Sequence, residues 1–339
     1  MLFLILTVFF CCGLCDSEEG DLGYSLNIGN AIDVFANYGD LSQVMQVLSA
    51  DYEEESYEPM EPFREKNIRV FDNIYSGVTP GDTMVDMNIQ LCETLEDLLQ
   101  AYFQNFTIEG TDMPPKAFLG DWMENEIMRA FGIEYDMRPD NCCYVLVKLS
   151  KVKTSVKINS LNDAKVKGYV QKAIDHLNIS DSTEIRRFMK SYGTHYIDSY
   201  VTGNCIYQVF KYKRTGYNLL KSYIRYRERR KSNSDSLRFY FSSYFLKQVG
   251  DIKIASGNKT VETWARNNLK DSQYLFSRPS LLRLHYNPIL ASQLDDMLDN
   301  GALLSLNLKT LKPLFKDRYK AQKFTEIVEN DMRLWEVNT

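Results

Sequence analysis

Histidine and cysteine are the residues through which this chain could do chemistry, and neither forms a catalytic pattern. There are three histidines, His176, His195 and His285, and histidine is the usual acid or base near neutral pH. The sequence has no HExxH, GxSxG, P-loop or GxGxxG arrangement, and no group of cysteines and histidines has zinc spacing. No nucleophile or orienting carboxylate lies at a recognisable spacing from His195. We therefore predict a protein that is not an enzyme, with no catalytic residue, metal site or cofactor.

Residues 1–15 have the pattern of a secretory signal peptide. They carry no charge and centre on the apolar run Leu2 to Phe10, and an acidic stretch begins at Asp16. The run lacks a basic start, which leaves a membrane anchor as the alternative, but a bilayer span needs about 20 apolar residues. We predict cleavage near Cys15 and a secreted, extracellular protein.

Four of the seven cysteines lie beyond this segment, at Cys92, Cys142, Cys143 and Cys205. An even number of cysteines in a secreted chain favours disulfides, and two are predicted. Adjacent cysteines rarely pair with each other, so Cys142 and Cys143 would each reach to Cys92 or Cys205. The alternative is that some of them are buried free thiols.

Three Asn-X-Ser/Thr sequences fit the surface of a secreted protein. The candidate glycosylation sites are Asn105, Asn178 and Asn258. One or two such sequences can occur by chance, so they support secretion without establishing it.

Two helices are expected in the middle of the chain because apolar residues recur there at helical spacing. The first runs from Val166 to Leu177, with Ser160 or Asn162 as its cap. The second starts at Asp181, with Glu184 as a capping partner, and ends at a glycine.

That glycine belongs to a compact motif, which consists of Tyr192, Gly193, Thr194, His195, Tyr196 and, further on, Gly203. The density of β-branched and aromatic residues predicts a strand from Thr194 to Tyr212, broken by a bend at Gly203–Asn204. The motif would therefore lie where a helix meets a strand. We expect His195 and the flanking tyrosines to lock this junction as structural residues.

Further strands are predicted on either side of the motif. Residues 144–158 alternate as a strand, but the buried face switches near Lys148 to Lys151, which indicates a bulge or a sharp bend. Another strand is expected from Leu237 to Val249. After Leu290 the sequence is interpreted as helical.

Two charged stretches stand out against a net charge of −5. Residues 51–61 are acidic, and residues 211–231 carry nine Lys or Arg and one Glu. Two stretches of opposite charge indicate binding to partner molecules, or contact between the two stretches. The alternative is that both are solvated loops. A further hypothesis is that a secretory-pathway convertase cleaves the chain after Arg230. The alternative is a basic hairpin that is not cleaved. The candidate contact residues are Lys221, Arg225, Arg227, Arg229, Arg230 and Lys231.

The motif at 192–196 with Gly203 resembles the signature of membrane-attack-complex/perforin (MACPF) proteins. The family has a second glycine after the first, and this chain has Asn204 at that position. The resemblance extends loosely to about Leu290, through Trp264 and Pro279. It implies an α+β fold, with a bent, twisted four-stranded antiparallel sheet flanked by helical clusters. Residues 16–290 would form this domain, and 291–339 a C-terminal helical appendage. In pore-forming members two helical clusters unfold into membrane hairpins that join a closed barrel.

The second such cluster would fall near residues 217–246, whose basic residues are poorly suited to insertion, since spanning strands need alternating apolar residues. We therefore expect a secreted signalling factor, with a pore former or an immune or venom-type lytic effector as alternatives. The expected partners are an extracellular protein ligand or receptor, an eggshell or other matrix, or an anionic glycan or lipid surface. Nucleic acid is not expected, and oligomers are expected only of a pore former.

Overall fold

A computed structural model describes residues 26–43, 45–49, 68–81, 85–120, 122–135, 142–230, 235–256, 259–270, 278–298 and 301–338. The predicted signal peptide, the acidic stretch at 51–61, Asn258 and Lys231 lie outside these residues. Arg227, Arg229 and Arg230 are described through their backbone alone. Within the described ranges, no helix is both long enough and apolar enough to cross a bilayer.

Strands and helices are mixed along the chain. The strands are β1 (Asn30–Ile32), β2 (Ile68–Arg69), β3 (Phe71–Asp72), β4 (Tyr75–Pro80), β5 (Asp86–Cys92), β6 (Phe106–Ile108), β7 (Cys142–Ser160), β8 (Lys165–Val166), β9 (His195–Lys213), β10 (Leu246–Val249), β11 (Lys253–Ile254) and β12 (Ala302–Thr310). The helices are α1 (Leu95–Tyr102), α2 (Pro115–Leu119), α3 (Glu124–Ala130), α4 (Gly168–His176), α5 (Ser182–Tyr192), α6 (Arg214–Arg230), α7 (Thr260–Asn268), α8 (Leu282–His285), α9 (Pro288–Met297) and α10 (Arg318–Asn338). Short 3-10 helices lie at Ala36–Gly39, Leu41–Gln43, Asp235–Phe241 and Lys312–Leu314.

One large sheet is built around β7 and β9, each 19 residues long and paired antiparallel to the other. On the second edge of β9 lie β12, β11 and β10, end to end. The outer edge of β7 carries β4 and β5 in the same manner, and β6 is parallel to β12. The sheet therefore has ten strands instead of the predicted four, because several short strands succeed one another beside the two long ones. The prediction of a large, mainly antiparallel sheet flanked by helices is confirmed.

The irregularity predicted in β7 near Lys148 to Lys151 occurs just after that position, and Gly203 lies beside it. The register between β7 and β9 shifts between Val152 and Thr154, and the register between β12 and β9 shifts between Leu303 and Ser305. Gly203 pairs with Val152 on one side and Ala302 on the other, and β9 continues unbroken through it. The predicted break in this strand is therefore wrong, since the two irregularities beside Gly203 occur in the neighbouring strands.

Close packing explains why residue 203 is glycine. A Cβ atom there would lie 2.0 Å from the carbonyl oxygen of Lys151 and 2.8 Å from Cδ1 of Leu304. Real Cβ atoms do not approach other atoms so closely, so any other side chain would push β7 and β12 away from β9.

Two predictions about the C-terminal half are corrected. Residues 302–310 form β12 in the sheet, so the interpretation of 291–339 as a helical appendage is wrong for this segment. Leu304, Leu306 and Leu308 alternate with polar residues there, which is the period of a strand. In the predicted strand 237–249, only Leu246–Val249 is a strand, and a 3-10 helix precedes it.

The two helices before the motif are confirmed, with one change at the start of the first. The helix α4 begins at Gly168, without a cap from Ser160 or Asn162, because Lys165–Val166 first pairs with β3. The helix α5 is capped by Asp181, whose side chain accepts a hydrogen bond from the backbone N–H of Thr183.

The predicted disulfides are absent, and the four cysteines are free thiols. Cys143 packs in the apolar layer on one face of the sheet, whereas Cys92 and Cys205 pack in the layer on the other face. Cys205 is paired with Ser150 of β7, seven residues along that strand from Cys143 and eight from Cys142, so it lies more than about 20 Å from both at the usual strand rise. Two disulfides among these positions would require the sheet to come apart, and the buried-thiol alternative describes the structure.

Candidate functional site: the helix-to-strand junction and the basic helix

The motif occupies the junction between α5 and β9, as the sequence predicts. Gly193 ends α5 with a positive φ of 87°, and its backbone N–H donates to the carbonyl of Met189. A Cβ atom at this position would lie 3.0 Å from the carbonyl carbon and oxygen of Ile32. Glycine is therefore favoured twice here, by the left-handed backbone and by the close approach of β1.

Thr194 connects the junction to β1 and to the end of β12. Its backbone N–H donates to the carbonyl of Ile32 at 2.9 Å, and its Oγ1 accepts from the backbone N–H of Val34 at 3.0 Å. Its carbonyl accepts from the backbone N–H of Leu311 at 2.9 Å. The residue is fully buried, so these bonds satisfy polar groups that water does not reach.

His195 is a buried, neutral imidazole. Its Nε2 lies 2.8 Å from the carbonyl oxygen of Glu109 and must donate there, which leaves Nδ1 to accept from Thr194 Oγ1 at 3.0 Å. Burial is the largest cause that lowers the pKa of His195 to about 4, and it outweighs the hydrogen bond to the Glu109 carbonyl and the charge of Glu109, which raise it. Both ring nitrogens are therefore engaged inside the fold, one as a donor and one as an acceptor.

Glu109 and the two tyrosines complete the junction. The Glu109 carboxylate accepts from the backbone N–H of Thr310 at 2.7 Å and from its hydroxyl at 3.0 Å. Tyr196 is buried edge-on against Phe71, with ring centroids 5.6 Å apart, and Tyr192 is half-buried. Four stretches of chain, around residues 32, 109, 195 and 310, thus meet at one place, which we call the junction clasp. Across the described ranges, no three His, Cys, Asp or Glu residues are grouped to hold a metal ion.

Asn204 has a role that the sequence did not reveal. Its side-chain amide donates to the carbonyl of Leu298, and its Oδ1 accepts from the backbone N–H of Gly301 at 3.4 Å. These bonds hold the end of α9 and the start of β12 on β9. From the sequence alone Asn204 stands in place of a glycine, whereas in the structure its side-chain amide makes both bonds.

The basic segment after the motif is a helix, α6, and not a loop or hairpin. Tyr217 and Leu220 are fully buried in the apolar layer beside the sheet, and Tyr223 and Ile224 pack partly against it. Because these residues recur at helical spacing, one face of α6 is fixed to the domain. The opposite face is exposed, and its described members are Thr215, Asn218, Leu219, Ser222, Arg225 and Tyr226.

Two of the basic residues at the start of α6 are paired within the domain. Glu93, in the turn between β5 and α1, accepts from Nζ of Lys221 and, at 3.3 Å, from Nη1 of Arg214. Both cations lower the pKa of Glu93, Lys221 more strongly. Lys221 is therefore an ion-pair partner of Glu93 within the domain, and its contact with an outside molecule stays a prediction. Arg225 is exposed, and the three arginines at 227, 229 and 230 follow it in the same helix.

The glycosylation candidates that can be described are both at the surface. Asn105 and Asn178 are exposed, and Asn178 Oδ1 accepts from the backbone N–H of Ser180 at 3.2 Å. The third candidate, Asn258, lies outside the described residues.

Comparison with known proteins finds similarity among solved structures. No protein-family model matches the chain, and no curated protein matches it. A protein with a MAC/Perforin domain from Bacteroides thetaiotaomicron is similar over 93% of this chain and 63% of its own, at 11% identity and a TM-score of 0.43. GNIP1Aa from Chromobacterium piscinae is similar over 92% of this chain and 56% of its own, at 11% identity and a TM-score of 0.47.

A third similar structure is Astrotactin-2, described as a vertebrate-specific, perforin-like membrane protein involved in neuronal development. The similarity covers 89% of this chain and 96% of that one, at 13% identity and a TM-score of 0.37. The chain spans less than two thirds of the length of the first two proteins.

Proposed function

We propose that this chain is a secreted, non-catalytic extracellular factor on a MACPF-type scaffold, which acts through contact of α6 with an anionic partner. The observation that carries the proposal is the construction of α6. Its apolar face is buried, its first basic residues are fixed by Glu93, and four arginines follow in its last six positions. A basic surface on a rigid helix can hold a polyanion without losing the entropy of ordering a loop.

The state of the junction clasp supports the non-catalytic part of the proposal. His195 is buried and neutral, and its two ring nitrogens bind a backbone carbonyl and a threonine hydroxyl. Neither contact is a nucleophile activated by a base. In this proposal the motif serves the fold, and the exposed face of α6, which follows the other end of β9, serves the function.

The developmental role that we propose comes from the sequence. A signal peptide, a single MACPF-like domain, a basic segment after the motif and a C-terminal helix resemble the plan of Torso-like of insects. That resemblance implies an eggshell-associated factor that promotes activation of the receptor tyrosine kinase Torso by its ligand in embryonic terminal patterning. We propose the same role for this chain, with a pore-forming effector as the competing function.

Two assays test the proposal on the purified secreted chain. The first measures dye release from anionic and neutral vesicles, and the second measures retention on extracellular matrix. Each compares the wild type with a variant in which Arg225, Arg227, Arg229 and Arg230 become Ser. We expect no dye release, and retention that falls in the variant. Dye release would establish the pore-forming alternative, and equal retention of both proteins would refute the role of α6.

The receptor role needs a separate measurement. Cells that express Torso and its ligand should show more receptor phosphorylation when the chain is added, and less when the arginine variant is added. Equal phosphorylation with and without the chain would refute the developmental role while leaving the contact role of α6 in place.

A further inference from the structure

The partly buried side of α6 contacts a cluster of aromatic rings. Tyr223 of α6 stacks on Tyr240, with ring centroids 4.7 Å apart, and Tyr240 stacks on Phe245 at 5.7 Å. Phe239 and Tyr244 meet Phe245 edge-on at 5.3 and 4.9 Å. The inner rings join the apolar layer of the domain, so the cluster is rigid.

The outer rings of this cluster face solvent. Tyr244 is 79% exposed and Phe239 is 55% exposed, and Tyr226, one helical turn after Tyr223, is 51% exposed. Single exposed aromatic residues are common, but several on one rigid surface indicate a binding site. We call Tyr226, Phe239 and Tyr244, together with the arginines at 225, 227, 229 and 230, the α6 surface.

The charge of α6 contrasts with that of the whole chain. The protein has a net charge of −5, whereas α6 carries six basic residues and one acidic residue. Its C-terminal half uses arginine in place of lysine at each basic position. Arginine is the residue whose planar fork matches the oxygens of sulfate, phosphate and carboxylate groups.

A lipid bilayer does not fit this arrangement. An amphipathic helix binds a membrane through its apolar face, and the apolar face of α6 is already buried through Tyr217, Leu220 and Ile224. What remains exposed is polar, basic and aromatic, with Leu219 as the one large aliphatic side chain on the described stripe. That combination suits a partner with both anionic groups and flat, partly apolar ring faces.

We infer that the α6 surface binds a sulfated polysaccharide, whose sulfate groups meet the arginines and whose sugar rings pack on the exposed aromatic side chains. The inference rests on the proposed contact role of α6 and names the chemistry of its partner. An extended polyanion can follow the helix, because arginines at 225 and 229 recur on one face about one turn apart.

The test measures affinity for heparin, with unsulfated hyaluronan and anionic vesicles as the other probes. The arginine variant described above should bind heparin at least about tenfold more weakly at about 0.15 M salt, with a shallower dependence on salt. A variant with Tyr226→Ser and Tyr244→Ser should bind about threefold to tenfold more weakly with the salt dependence unchanged, since stacking releases no counterions.

Matched controls remove the same chemistry from other surfaces. One control changes four exposed basic residues, Lys172, Arg187, Lys316 and Arg318, to Ser. The other changes Tyr75 and Tyr319, which are 63% and 56% exposed, to Ser. We expect both controls to bind heparin within about twofold of the wild type. The substituted residues either are exposed or lie in the last six positions of α6, and thermal unfolding checks that each variant is folded. If the double tyrosine variant unfolds, Tyr244→Ser alone replaces it.

Each outcome decides the inference. Equal losses in the arginine variant and in its basic control would show a non-specific charge effect and refute the site. Unchanged heparin binding in the tyrosine variant would refute the packing of sugar rings on the aromatic side chains. Equal affinity of the wild type for hyaluronan and heparin would refute sulfate as the recognised group. Binding to vesicles but not to heparin would show that the partner is a lipid. If the protein does not bind heparin but its retention on matrix still depends on the arginines, the inference is refuted and the proposed function is retained. Dye release from vesicles would refute the proposed function itself.

Discussion

Acidification should destabilise this protein through His195. The folded protein holds the pKa of this side chain at about 4, against 6.5 for an exposed histidine. Between these values the unfolded chain binds a proton that the folded chain does not, so stability is complete above about pH 6.5 and is lost as the pH falls toward 4. The full difference between the two pKa values corresponds to about 3 kcal/mol, of which about 2 kcal/mol is expressed between pH 7.5 and pH 5.

The measurement is urea unfolding of the wild type and of His195→Gln at about pH 7.5 and about pH 5. The glutamine amide can still donate to the Glu109 carbonyl, but it cannot take up a proton. The variant should be less stable at neutral pH by about 1 to 2 kcal/mol, because it loses the contact with Thr194 and part of the ring packing. Its loss on acidification should be smaller than that of the wild type by about 2 kcal/mol.

His285→Gln is the control, since this side chain is exposed on α8. The control should keep the full acid loss of the wild type. Other groups also titrate in this range, but they do so in all three proteins and cancel in the comparison. If His195→Gln loses as much stability on acidification as the wild type, then His195 is not held neutral by burial, and the structural account of the junction clasp is wrong.

Three further predictions concern the sheet. Gly203→Ala should lower the free energy of unfolding by at least about 2 kcal/mol in urea, since its Cβ would meet the Lys151 carbonyl, whereas Gly168→Ala, with open space around it, should change it by less than about 1 kcal/mol. Asn204→Gly gives the chain the glycine pair of the MACPF signature, and yet it should lower the free energy of unfolding by about 2 kcal/mol through the lost bonds to Leu298 and Gly301. A variant as stable as the wild type would contradict the role of these two bonds. A chain that stops after Leu290 should fail to fold by circular dichroism and limited proteolysis, because it lacks β12, and a protease-resistant fragment would contradict the place of β12 in the sheet.

Local signals explain what the sequence could predict. The helix α5 was predicted at both ends because Asp181 and Gly193 are typical cap residues, and each acts on groups within a few positions of itself. The bulge of β7 was visible because one extra residue reverses the parity of every later side chain. Such patterns depend on neighbours in the sequence, so reading the sequence captures them.

Long-range partners explain what the sequence could not predict. His195 binds a carbonyl 86 positions away, and Lys221 binds a carboxylate 128 positions away. No spacing rule connects such pairs, since only the packed sheet brings them together. The strand β12 is a different case, because the alternation of Leu304, Leu306 and Leu308 is a local signal, but it is short and lies between two helical stretches.

The position of β12 also has a consequence for synthesis. One edge of β9, from His195 to Gly203, is covered by β12, and about 90 residues separate the end of β9 from the start of β12. At about 5 to 20 residues per second, a ribosome takes roughly 5 to 20 seconds to make that interval. During this time the nascent chain presents an unpaired strand edge, which is the feature most prone to pairing with another chain. The strand β12, made last, thus covers the open edge of β9 at the centre of the sheet. The yield of folded protein depends on keeping that edge from pairing with other chains until β12 has been made.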